Sequence, residues 1–93
     1  TTLDMIDTLL SFTTQLFQYK WIKDSTNYKT YLTELENQKK LYIEKDEDKL
    51  IDSIDNFLEL IEEHHKPELL TEEGYKYLRY YGTYIKENVE NEF

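Results

Sequence analysis

Apolar residues recur along this chain at intervals of three and four. Leu3, Ile6, Leu10 and Phe17 share one face, and Met5, Leu9, Phe12 and Leu16 widen it. This pattern predicts a helix over about residues 3–22, buried across a broad arc. Thr1 is placed to cap it, with Asp4 completing a capping box. "KDSTN", Lys23–Asn27, reads as a break, because Asp24, Ser25, Thr26 and Asn27 are all cap or turn formers. A second helix is expected over about residues 28–45, along the stripe Tyr28, Tyr31, Leu32, Leu35, Tyr42 and Ile43, which Lys39 interrupts.

Asp46 is the expected N-cap of a third helix, residues 47–65. Its seam of Leu50, Ile51, Ile54, Phe57, Leu58 and Ile61 is the clearest in the chain, and His65 extends it. Pro67 ends it by disfavouring helix at Lys66. Thr71 caps a fourth helix, residues 72–91, with Glu72 and Glu73 against the positive end of its dipole. Four helices with short connections predict an all-α fold, an antiparallel up-down four-helix bundle, as one domain over residues 1–93. The two Gly and one Pro are too few for the many turns of an all-β fold.

Composition narrows the function. The chain has no Cys, which suits the cytoplasm better than a secreted domain of this size. Asp4 and Asp7 stand where a signal peptide would be basic. The longest uncharged run, Thr8–Tyr19, is too short and polar to span a bilayer, so no membrane insertion is expected. Glu44–Glu73 holds twelve acids against three bases, the whole net charge of −9. Such a surface repels nucleic acid and anionic membrane alike. The expected partner is another protein, bound by a monomer or weak dimer.

Two surfaces are candidates for that partner. "GYKYLRYYGTYI", Gly74–Ile85, holds five tyrosines. At about 100° per residue, Gly74, Leu78, Tyr81, Ile85 and Val89 fall on the core face. Lys76, Arg79, Thr83 and Lys86 fall on the solvated face, and Tyr75 lies at the edge of the core beside Gly82. Tyr77, Tyr80 and Tyr84 belong to neither face and form a flanking ridge. Such rings either lean over the neighbouring helix with their hydroxyls in water or form a protein-binding ridge. The second surface is the outer face of the third helix, which carries Asp52, Asp55, Glu59, Glu62 and Glu63, the first four being the candidate contacts. It is either a solubilising face, a dock for a basic partner, or a mimic of a nucleic-acid backbone. Trp21 and Ile22, at the end of the first helix, either cap the bundle or anchor a partner.

Nothing in the sequence assembles a catalytic site. There is no Cys nucleophile, Gly-rich phosphate loop or Gly-x-Ser-x-Gly elbow. Glu62 and His65 have the Glu-x-x-His spacing of carboxylate-bridged metal bundles, but those need two such pairs and two further glutamates. No metal, cofactor or enzymatic activity is therefore expected. His64 and His65 are expected to serve the C-terminal end of the third helix.

"LIDSIDNFLELI", Leu50–Ile61, through "LLTEEGYKYL", Leu69–Leu78, resembles the immunity proteins of pediocin-like bacteriocins of the enterocin A type. These share an apolar-seamed third helix, a short break ending in a Thr-Glu cap, and a fourth helix. The resemblance covers about half of the chain. It implies a cytosolic protein that protects its producer by engaging a membrane receptor already captured by the toxin. The layout is also similar to the small YppE-like helical bundles of Firmicutes, and the Lys, Asn, Tyr and Ile usage suits an AT-rich genome. The expected function is thus a non-enzymatic immunity or inhibitor protein. The alternatives are an acidic DNA mimic or anti-restriction inhibitor from a phage or mobile element, and a housekeeping helical bundle.

Overall fold

A capping side chain opens each of four helices in the computed structural model, which describes residues 1–93. The helices are α1 (Thr2–Gln18), α2 (Ser25–Ile43), α3 (Glu47–Glu63) and α4 (Glu72–Glu92), with no strand. Thr1 accepts from the Asp4 amide while Asp4 reaches back, completing the capping box. Asp24, Asp46 and Thr71 accept from the amides of Thr26, Lys49 and Gly74.

Two helices end on a motif that the sequence conceals. After the Tyr19 C-cap of α1, Lys20 adopts a left-handed φ of 64°. Its amide donates to the Phe17 carbonyl, and the Trp21 amide donates to that of Leu16. This is a Schellman motif with lysine in the position that glycine usually fills. α2 ends identically: Lys45 has φ 58°, its amide donates to Tyr42 O, and that of Asp46 donates to Leu41 O. α1 therefore stops four residues short of the expected Ile22. α2 begins three residues before the expected Tyr28, because Asp24 caps it and Ser25, Thr26 and Asn27 form its first turn. α3 stops at Glu63, with His64 as C-cap, two residues before the expected His65.

Each helix packs on two neighbours: α1 on α2 and α4, and α3 on α2 and α4. This is the antiparallel up-down bundle. Its core comes from all four helices, with Ile6 and Leu9, Tyr31 and Leu35, Ile54 and Phe57, and Leu78 and Ile85 all fully buried. The α2 stripe differs from the expected one. Its inward line runs Tyr31, Leu35, Gln38, so Gln38 lies inside and Ile43 is 62% exposed beyond the last core turn. Lys39 reaches across to Asp7 of α1 at 3.0 Å. His65 does not extend the α3 seam; it stands exposed beyond the helix end.

The loops at one end of the bundle pair with each other. Ile22 and Leu70 form an isolated antiparallel bridge, with the Lys23 amide donating to Leu69 O and the Thr71 amide to Trp21 O, both at 2.9 Å. Ile22 and Leu70 are buried and close the core there. Gly74 permits this closure, because a Cβ at that position would stand 2.9 Å from the Trp21 carbonyl oxygen. At the other end, the Glu92 carboxylate accepts from the Thr2 amide at 3.2 Å, the Thr2 hydroxyl, and the Tyr42 hydroxyl at 2.5 Å. These bonds hold its pKa below the usual carboxylate value. They also place an anion at the positive end of α1. No helix is long and apolar enough to cross a membrane.

Candidate binding face on α1 and α4

The tyrosines of α4 separate by depth. Tyr75 is buried, and its hydroxyl donates to Glu62 at 2.7 Å. Tyr81, expected inside, is only half-buried. The reason lies on α1: Phe12 occupies the seam between the two helices and meets both Tyr77 and Tyr81 edge-on, with ring centroids 5.4 and 5.9 Å away. Tyr77 and Tyr81 in turn stack on each other at 6.2 Å, one helical turn apart. Of the expected ridge, Tyr77 is thus drawn half inward, and burial raises its phenol pKa above the ordinary value. Tyr80 and Tyr84 remain outside, at 66% and 59% exposure.

Together these rings wall an open groove of about 520 Å³. Tyr77, Tyr80, Tyr81 and Tyr84 line it from α4, Trp21 closes one end from the α1–α2 loop, and Glu73 and Lys76 stand at the rim. Trp21 is half-buried, fixed in place because its carbonyl is held by Thr71. Tyr19, 67% exposed and 6.3 Å from Trp21, continues the aromatic surface. Apolar ring faces with solvated hydroxyls are suited to burying large area at small entropic cost. Nothing in the spacing of α4 alone identifies Tyr81, Lys76 and Glu73 as lining this groove.

The second expected surface does not join the first. Asp55 pairs with Lys86 at 2.8 Å, and Glu62 pairs with Arg79 at 3.1 Å. These two acids clamp α3 to α4. Asp52 and Glu59 are exposed and form no ion pair within the chain. The bases Arg79 and Lys86 turn to the α3 side of α4, opposite the Tyr77–Phe12 contact with α1.

The two histidines act separately. His64 caps α3, and its Nδ1 lies 2.6 Å from the Tyr31 hydroxyl. His65 stacks on Tyr75 with centroids 3.5 Å apart, and its Nε2 lies 2.7 Å from Glu72. Glu62 is taken up by Tyr75 and Arg79 rather than by His65. No group of three or more His, Cys, Asp or Glu side chains is arranged to hold a metal ion.

Comparison with family models, curated proteins and solved structures gives no match for this chain.

Proposed function

We propose that this protein is a non-enzymatic binding module that docks another protein on the aromatic groove formed by α4 and Trp21. The observation that carries this reading is the pair Tyr80 and Tyr84. Both are large rings left in water beside a groove already walled by Trp21, Tyr77 and Tyr81. Tyrosine and tryptophan so placed are the side chains that most often dominate protein interfaces. In its most specific form the reading is an immunity or inhibitor protein acting inside the producing cell, as the resemblance of Leu50–Leu78 to pediocin-type immunity proteins implies. The acidic-mimic alternative draws on Asp52, Glu59 and Glu63, since Asp55 and Glu62 are engaged by α4.

The test is a challenge of a sensitive bacterial host expressing the protein with a panel of pediocin-like bacteriocins. Protection is expected from the wild type and not from Tyr80→Ala/Tyr84→Ala at equal expression. Sensitivity unchanged by the wild-type protein contradicts the immunity reading.

A further inference from the structure

Helix α4 sorts its charges into two groups. Arg79 and Lys86 are spent on α3, against Glu62 and Asp55. Glu73 and Glu90, nearer the helix ends, and Lys76 and Glu87 between them are exposed and form no ion pair within the chain. Between Lys76 and Glu87 stand Tyr80 and Tyr84, whose hydroxyls take no hydrogen bond from the protein.

From Lys76 to Glu87 the order along this strip is base, ring, ring, acid, with Glu73 on the same arc one turn before Lys76. By helix geometry the four positions lie within an arc of roughly 80°, with the charges roughly 16 Å apart along the axis and the rings roughly 6 Å apart. Both pairs are centred at the Tyr81–Gly82 step, to within about half a residue. A strip of this kind is complementary to its own antiparallel copy. A two-fold axis through that centre sets Lys76 against Glu87 of the other copy twice, and Tyr80 against Tyr84 twice. The relief agrees with this. The tyrosine ridge has a groove on each side, one of about 520 Å³ toward Trp21 and Tyr77 and one of about 220 Å³ toward Thr83 and Glu87. The ridge of one copy therefore has a groove to enter on the other.

We infer that a second copy of this chain covers the face, as an antiparallel α4–α4 homodimer with two Lys76–Glu87 ion pairs flanking the tyrosines. Three turns of one helix make a small interface, so the association is weak and concentration-dependent. The net charge of −9 on each copy weakens it further. The dimer hides Tyr80 and Tyr84, so the monomer is the form free to bind a different protein. The inference uses the same face as the proposed function but does not depend on the identity of that partner.

Sedimentation velocity from about 10 µM to about 1 mM tests it, a range suited to weak association. The wild-type mass is expected to rise from 11.4 kDa toward twice that value. Lys76→Glu and Glu87→Lys each set like charges against each other at two symmetric places. Each should weaken self-association about tenfold or more. The K76E chain carries acids at both positions and the E87K chain bases at both, so mixing the two should restore a dimer. Lys76→Glu/Glu87→Lys should dimerise like the wild type. Both sites are exposed, and circular dichroism melts of the variants confirm that each is folded. A wild type that stays monomeric throughout, single variants that dimerise like the wild type, or a mixture that stays monomeric each overturns the inference. Failure here leaves host protection unaltered, and failure of protection leaves the mass series unaltered, so the two readings fail separately.

Discussion

The Tyr31 hydroxyl and His64 Nδ1 lie 2.6 Å apart, joining the buried middle of α2 to the C-cap of α3. Tyr31 is fully buried, and burial raises its phenol pKa. When the imidazole is neutral with its proton on Nε2, Tyr31 donates to Nδ1. Protonation turns Nδ1 into a donor and reverses the bond. Burial also lowers the His64 pKa from its ordinary 6.5, outweighing Glu63 and Asp24, which favour the charged ring, while Lys66 opposes it too. The unfolded chain then binds the proton more readily than the folded one. Stability from neutral His64 is complete above the unfolded value of about 6.5 and is lost as pH falls through the lower folded value. Urea melts across this range should show the wild type losing more stability on acidification than His64→Asn. Parallel pH profiles for the two proteins would contradict the assignment.

Lys20 and Lys45 hold left-handed conformations that suit glycine. The left-handed region costs a side-chain-bearing residue about 1–2 kcal/mol. Glycine loses roughly 0.5–1 kcal/mol of that advantage through the entropy of the unfolded chain. Lys20→Gly and Lys45→Gly should each stabilise the bundle by about 0.5–1 kcal/mol, and their gains should add because they sit at opposite ends. Denaturant midpoints measure this directly. A loss of stability in both would mean that the lysine side chains make compensating contacts.

Gln38 is 1% exposed, and neither its amide nitrogen nor its oxygen has a hydrogen-bond partner. An unpaired buried amide costs about 1–3 kcal/mol. Gln38→Leu, which keeps the volume and removes the polar atoms, should raise stability by a similar amount. Against a domain of this size that is a rise in Tm of about 4 °C or more. A fall in Tm would show that the amide is satisfied in solution.

How far the sequence reveals this protein depends on whether the deciding contact is local. Thr1, Asp46 and Thr71 cap as expected, because a cap bonds only to the next few amides. The α3 seam is legible because Leu50, Ile54, Phe57 and Ile61 repeat at helical spacing and all face inward. The ends of α1 and α2 are hidden because Lys20 and Lys45 carry no glycine signal. The α2 stripe misleads because its buried line includes a polar residue, Gln38, while apolar Ile43 lies outside. The tyrosine ridge is half legible. Helical angle alone separates Tyr80 and Tyr84 from the core, but only the position of Phe12 on α1 decides that Tyr77 and Tyr81 both lie half-buried against it. The Ile22–Leu70 bridge joins loops far apart in the chain, and no local pattern reports it.

The proposed binding face requires that Tyr80 and Tyr84 contribute to the surface and not to the fold, and the thermal melt of Tyr80→Ala/Tyr84→Ala tests this most directly. Exposed truncations change stability by about 0.5 kcal/mol or less each, so the Tm of the double variant should stay within about 8 °C of the wild type. Ile54→Ala, which opens a cavity in the core, sets the scale with an expected loss of about 2–5 kcal/mol. A double tyrosine variant that melts as low as Ile54→Ala would make those rings structural and contradict the binding face.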